Sequence, residues 1–308
     1  MTGTSTVCCH GKLPLFGDFV RLNGESSPCL GALDRWLMNG IESGYAQAGR
    51  AFESKLRSFE PMRVVLWGGA DRCWTGLVVP SADAVGRVYP FTFGWELQGG
   101  LPLPELMPLF GFADMLALSG LVERSRRDKP PLGEFLAELG GMRLRPDAEV
   151  SDEVLGAFLR ERALEELCRD WPDGGSSDRL SRSLHELSLL GQPPFPPRYL
   201  TRIPYSGEPA EVGFWLKLIT SWMPDGARPT LLAWPAAAGA PGDLRVLYDR
   251  LEARYLGQAL WPAQEGGAVL DLARAASASR PTPGYEAFAS AVPVSASLRE
   301  LVRVLGDF

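Results

Sequence analysis

Lys12, Asp18, Asp83 and Arg87 are charged side chains set in two turn-rich, largely apolar stretches, residues 11–20 and 74–90. Charge embedded in such segments either reaches solvent or finds a counter-charge, because an unpaired buried ion is strongly unfavourable. Two readings of these residues stand side by side. In one, Asp18 and Arg87 form a structural ion pair linking the stretches. In the other, the same residues line a surface that receives a partner, with Arg87 offering a planar donor fork to a carboxylate or phosphate. Asp83 is expected to bond backbone amides in the turn Pro80-Ser81-Ala82-Asp83, as short acidic side chains commonly do. Asp18, Asp83 and Ser81 together also admit a hydrolase or phosphatase as an alternative.

Other chemistries require patterns that the chain lacks. Cys8, Cys9 and His10 are contiguous, without the two-residue gap that lets a loop wrap a zinc ion, so no metal site is expected. A serine triad would draw its imidazole from His10 or His185, and Ser81 stands between proline and alanine rather than the glycines of a nucleophile elbow. The sequence holds no Gly-x-x-x-x-Gly-Lys-Ser/Thr phosphate cradle, and Gly174-Gly175-Ser176-Ser177, which lacks the lysine, reads as a flexible loop. The expectation is a protein without a cofactor that is not an enzyme.

Composition narrows the class further. The 308 residues, 45% apolar, suffice to bury a sizeable core. Acidic residues, 37 against 31 basic ones, give a formal charge of -6, and no cluster of Lys and Arg interleaves with aromatic rings, which argues against a nucleic-acid partner. Residues 1–10 lack a charged-then-apolar leader, and no apolar run approaches the roughly 20 residues that span a bilayer, so neither export nor membrane insertion is expected. Five scattered cysteines, an odd number, fit a reducing compartment rather than a disulfide framework, which points to the cytoplasm.

The elements that position these residues follow from punctuation and period. Residues 7–21 read as extended chain around a turn, since Gly11, Pro14 and Gly17 interrupt them too densely for a helix. A helix follows, capped by Ser27 with Pro28 at its first position and an apolar stripe of Leu30, Leu33, Trp36, Leu37 and Ile41, with Gly44 marking its end. Strands are predicted over residues 62–67, 74–79 and 87–95 as an antiparallel meander, the first two joined by Gly68-Gly69-Ala70-Asp71. From Glu105 the pattern is helical, with breaks near Pro130, Gly140 and Pro146 and further helices over 152–169 and 178–190. Four prolines in residues 191–198 make a connection without regular structure, followed by apolar runs over 212–220 and 229–234, a helix over 243–255 and an Ala-rich tail. Most of the nine tryptophans fall inside these elements and are assigned to the core.

Gly11-Lys12-Leu13-Pro14-Leu15-Phe16-Gly17-Asp18-Phe19-Val20, followed at a distance by Trp36-Leu37, resembles the opening motif of the TagF family. Trp74-Thr75-Gly76-Leu77-Val78-Val79-Pro80-Ser81-Ala82-Asp83-Ala84-Val85-Gly86-Arg87-Val88-Tyr89-Pro90 is similar to that family's second motif. The segment from Gly213-Phe214-Trp215 to Trp234-Pro235 is similar to its aromatic-rich second half, with Leu216 where a paired tryptophan is expected. The resemblance implies a bacterial protein encoded with the type VI secretion apparatus that represses its assembly after translation through the forkhead-associated scaffold protein. An architectural subunit of that machine is the second alternative.

Within the motifs, Lys12, Asp18, Trp36, Ser81, Asp83 and Arg87 are the partner-binding or motif candidates. Gly11, Gly17, Gly76 and Gly86 are read as structural, serving positive φ or close backbone approach, and Pro14, Pro80 and Pro90 as fixing turns. The predicted class is α+β, an antiparallel or mixed sheet packed against helices with a helical middle and a smaller C-terminal α/β portion. The expected division is into residues 1–125 and 126–308.

Overall fold

The computed structural model of the chain describes residues 4–144, 148–169, 177–189, 200–223, 227–237, 239, 241–248, 250–261, 269–272, 285–291 and 297–305. The predicted break at Pro146, the glycines of the 174–177 loop, the proline-rich connection over 191–198 and much of the Ala-rich tail lie outside these residues.

Among the described residues nine strands form one sheet: β1 (Thr4–Gly11), β2 (Val20–Leu22), β3 (Met62–Trp67), β4 (Arg72–Val79), β5 (Phe91–Gln98), β6 (Leu200–Tyr205), β7 (Leu231–Pro235), β8 (Gly242–Leu247) and β9 (Val269–Asp271). Their order is β2-β1-β5-β4-β3-β7-β8-β6-β9, with every pairing antiparallel except β6–β9. The helices are α1 (Pro28–Ser58), α2 (Phe112–Asp128), α3 (Leu132–Gly141), α4 (Ala148–Glu161), α5 (Leu164–Arg169), α6 (Ser177–Ser188), α7 (Pro209–Trp222), α8 (Leu256–Leu260), α9 (Tyr285–Ala291) and α10 (Leu298–Leu305). A mixed sheet with helices packed against it is the α+β class that the sequence predicts.

Both faces of the sheet are covered, which explains why β3 is buried at every position instead of alternating. On one face Val64, Leu66, Trp74 and Val78 meet Leu33, Trp36 and Leu37 of α1 and Leu256 of α8. On the other, Val65, Leu77, Phe91 and Phe93 meet Leu118 of α2, Phe135 of α3 and Phe214 of α7. Each such side chain contributes about 1.5–3 kcal/mol when fully buried.

The predicted β3 and the turn after it stand as read: Gly69 takes φ 126° and the Gly68 amide bonds the Arg72 carbonyl at 3.0 Å. α1 begins as its cap predicts, the Ser27 hydroxyl accepting the Leu30 amide at 3.3 Å. Its end does not fall at Gly44. The helix continues to Ser58 through a kink at Gly49 (φ 51°, ψ -125°), which brings Phe52 against Gly44, where a Cβ would lie 2.1 Å from the ring. The described residues of 243–255 are not an α-helix either: β8 occupies Gly242–Leu247 and a 3-10 turn spans Ala253–Tyr255. Leu244 and Val246 share one face of a strand hydrogen-bonded on both sides, by β6 and β7, and that pairing overrides the helical spacing of Leu244, Leu247 and Leu251.

β3 joins the N-terminal strands to the later ones. It pairs with β4 on one side and β7 on the other, Val64 facing both Gly76 and Ala233, so the division at residues 125 and 126 is not marked by a break in the sheet. At the start of α7, Glu211 is fully buried; it accepts the Ser206 amide at 2.8 Å and the Ser206 hydroxyl, and burial pushes its carboxyl up to about 7 despite those bonds.

Candidate functional site

The two motifs meet as a pair of loops at one end of the sheet. β1 stops at Gly11, whose φ of 137° suits glycine and where a Cβ would sit 2.2 Å from the Pro90 carbonyl oxygen. The chain then turns through Pro14, the Phe16 amide bonding the Leu13 carbonyl at 3.1 Å, and re-enters as β2. Between β4 and β5, Ala82 bridges Val88, the Asp83 amide bonds the Arg87 carbonyl at 3.1 Å and Gly86 takes φ 89° at the tip. The Ala84 amide donates to the Phe16 carbonyl at 2.9 Å, joining one loop to the other. The predicted third strand therefore starts at Phe91, not Arg87, because the residues before it are committed to this turn.

Asp83 is the hub of the assembly. Its side chain is 0% exposed, and Oδ1 accepts the amides of Val85 (3.1 Å) and Arg87 (2.8 Å). Oδ2 takes Arg87 Nε at 2.6 Å and Lys12 Nζ at 3.1 Å. Burial alone would raise this carboxyl, but the hydrogen bonds from Arg87 and Lys12 outweigh it and hold it well below the usual carboxylate range. Arg87 extends further and donates through Nη2 to the Gly17 carbonyl at 2.6 Å, while Lys12 lies over the Phe19 ring, 5.1 Å from its centroid.

This arrangement corrects the predicted Asp18–Arg87 ion pair. Asp83, four residues before Arg87 and already inside the turn, is the closer counter-charge; exposed Asp18 instead accepts the Phe19 amide at 2.7 Å. Asp83 does bond backbone amides, those that follow it in the turn. Trp36 lies away from the loops: it is buried under α1 and its indole donates to the Glu252 carbonyl at 2.8 Å. Ser81 is buried with a hydroxyl that has no hydrogen-bond partner among the described residues, so Asp18, Asp83 and Ser81 do not converge on a shared contact. Gly76 is structural by crowding, since a Cβ there would lie 2.4 Å from the Phe93 carbonyl oxygen.

What reaches solvent is one continuous knob: Pro14, Gly17 and Asp18 from the first loop, Ala84, Val85, Gly86 and Arg87 from the second. Val85 is 72% exposed at its tip and the Arg87 side chain 60% exposed. The far half of α1 supports it from behind, Arg57 donating to the Gly86 carbonyl at 2.7 Å.

Beside the knob lies a network absent from the sequence reading. His10 Nδ1 contacts Asp34 Oδ1 at 2.8 Å, the Tyr89 hydroxyl donates to the same oxygen at 2.5 Å, and Arg21 Nε donates to His10 Nε2 at 3.3 Å. Phe19 packs on both His10 and Tyr89, with centroids 5.1 and 5.0 Å away. Burial raises the Asp34 carboxyl, yet the bonds from His10 and Tyr89 leave it lowered; burial and the Asp34 charge push the Tyr89 phenol up. His10, Arg21 and Asp34 border a cleft of about 610 Å³. The available signal was Asp34 itself, a carboxylate set between Leu33 and Trp36 on a helix that packs against the sheet.

Cys8 points to the α1 face of the sheet and Cys9 to the other, so the contiguous Cys8, Cys9 and His10 do not converge. Among the described residues no group of three or more His, Cys, Asp or Glu side chains is placed to hold a metal ion. His185 is buried against Tyr285 and Phe288. Among the described residues no helix is long and apolar enough to cross a membrane.

Residues 8–128, which hold both loops and the His10 network, match the family model described as the TagF N-terminal domain, type VI secretion system-associated. No curated protein matches the sequence. Among solved structures, the crystal structure of PA0076 from Pseudomonas aeruginosa PAO1 is similar at 22% identity and a TM-score of 0.39, over 46% of this chain. The similarity spans 64% of the length of that protein.

Proposed function

We propose, from the premise that residues 8–128 are a type VI secretion system-associated TagF N-terminal domain, that the protein represses assembly of that apparatus after translation by binding its forkhead-associated scaffold. It does so in the cytoplasm, by occluding a docking surface on the scaffold and without catalysis. The observation that carries this reading is the knob. Its exposed tip, Val85 and Arg87, is held in one geometry by bonds that all end on Asp83 and Gly17. A tip fixed before binding loses little conformational freedom on docking, and arginine is among the residue types that most often carry the energy of an interface.

Two features support a non-catalytic role. Both His10 nitrogens are engaged, by Asp34 and by Arg21, and Asp83 spends its oxygens on four donors.

The test is capture of the purified forkhead-associated scaffold by the full chain and by a Val85→Glu variant. Val85 has no role in the Asp83 bonds beyond its backbone amide, so this substitution changes the tip and leaves its support in place. Capture by the parent and at least about tenfold weaker capture by the variant is expected, as for loss of a central contact. Equal capture by both places the interface elsewhere, and no capture by the parent refutes the choice of partner.

A further inference from the structure

The clefts on the surface differ in the charge of their walls. The one beside His10 sets His10 and Arg21 against Glu25 and Asp34, and one of about 1020 Å³ bordered by α4 and α10 carries four basic and four acidic side chains. A third, of about 620 Å³, is bordered by three arginines, Arg35, Arg72 and Arg250, with Asp71 as its acidic residue. On a chain of formal charge -6, such a local excess of positive charge attracts anions.

The arginines are not equivalent. Arg72 leans toward buried Glu96, Nε to Oε1 at 3.7 Å. The guanidinium groups of Arg35 and Arg250 have no hydrogen-bond or ion-pair partner among the described residues. The rest of the lining is largely apolar, with Ala32 and Trp36 from α1, Leu66 from the end of β3, and Leu251. Trp36 is fixed there by its indole bond to the Glu252 carbonyl, which also ties α1 to the segment that carries Arg250 and Leu251. The volume lies within the roughly 300–1,000 Å³ of small-molecule sites, and apolar walls with a few placed polar groups are their usual composition.

We propose that this cleft binds a small molecule consisting of a phosphate group on an apolar or planar body, with Arg35 and Arg250 on the phosphate and the partly exposed Ala32 and Leu251 along the body, over a floor of buried Trp36 and Leu66. A guanidinium fork matches phosphate oxygens in bidentate fashion, and two unpaired forks on one cleft supply the donors that a phosphate accepts. The site needs both halves of the chain. Arg35 lies within the matched segment 8–128 and Arg250 beyond it, so the ligand bridges the two across the β3 end of the sheet.

The experiment is calorimetric titration of the full chain with adenosine monophosphate, inorganic phosphate and citrate at fixed ionic strength. An Arg35→Gln, Arg250→Gln double variant and an Arg124→Gln control are titrated alongside. Both arginines of the double variant are exposed, and Arg124, on α2, pairs with exposed Glu138 away from the cleft lining, so none of the changes touches the core. The expected result is saturable binding of adenosine monophosphate, tighter than inorganic phosphate and citrate, weakened about tenfold or more in the double variant and unchanged in the control, in line with the loss of charge-assisted bonds. Absence of saturable binding by any probe overturns the proposal, as does equal weakening in the control. Citrate binding as tightly as the phosphate probes would overturn the phosphate assignment, and inorganic phosphate binding as tightly as adenosine monophosphate would remove the role of the apolar wall.

Discussion

Replacing Glu211 with glutamine should remove a pH dependence of stability that this one carboxyl imposes. Glu211 is completely buried at the start of α7, and burial pushes its carboxyl up from the ordinary 4.5 to about 7 against the hydrogen bonds from Ser206 and Trp215. The folded state therefore keeps a proton that the unfolded chain has given up. Between pH 4.5 and 7 the native state binds more protons, so stability falls as pH rises through that window and levels off above it. At about 1.4 kcal/mol per pKa unit the full effect is about 3 kcal/mol, most of which falls between pH 5 and 8. Glutamine resembles the protonated acid and does not titrate. Urea unfolding of parent and Glu211→Gln at pH 5, 6, 7 and 8 gives a difference curve that isolates this group. The variant should gain on the parent progressively, ending about 2–3 kcal/mol further ahead at pH 8 than at pH 5. A difference curve that stays flat across this range refutes the reasoning, since the carboxyl would then ionise alike in both states.

Two further outcomes follow from the packing. Gly11→Ala introduces a Cβ 2.2 Å from the Pro90 carbonyl oxygen at a φ of 137°, so the junction of the two motif loops must deform; a loss of about 3 kcal/mol or more is expected in denaturant titration, and a loss under 1 kcal/mol would show that the loops yield easily. Cys8, Cys9, Cys29 and Cys73 are buried free thiols whose ionisation burial disfavours, that of Cys8 being pushed up to about 11. In a Cys168→Ser background, dithionitrobenzoate at pH 8 should label none of them within minutes in the native protein and all four in urea, and rapid native labelling would contradict the burial.

What the sequence discloses depends on whether a residue's partners are close along the chain. The Ser27 cap, Pro28 and the Gly68-Gly69 turn are local devices, and they stand where their residue types place them. The stretch 243–255 misleads because Leu244, Leu247 and Leu251 fit a helix as well as Leu244 and Val246 fit a strand. Only β6 and β7, drawn from elsewhere in the chain, decide between the two. The motif loops are half legible. That charges in the two turns need partners is legible from residue type, but residue type points Arg87 to Asp18; that Asp83 takes both Arg87 and Lys12 depends on a turn aimed inward by the Ala82–Val88 bridge and by contact with Phe16. The His10, Asp34 and Tyr89 network joins a strand, a helix and a loop, and no spacing rule connects them.

The pairing of β3 with β7 separates two notions of a unit. As a unit of sequence, the matched segment ends at residue 128. As a unit of hydrogen bonding it does not end there, because Met62, Arg63, Val64, Val65 and Leu66 have their second row of partners in Leu231–Pro235, and all six residues of β3 are buried. A fragment cut at residue 128 would carry an apolar strand with an open edge in the middle of what had been a continuous sheet, the kind of edge that recruits any available strand, including a second copy of itself. β3 thus belongs to the family segment by sequence and to the later strands by hydrogen bonding.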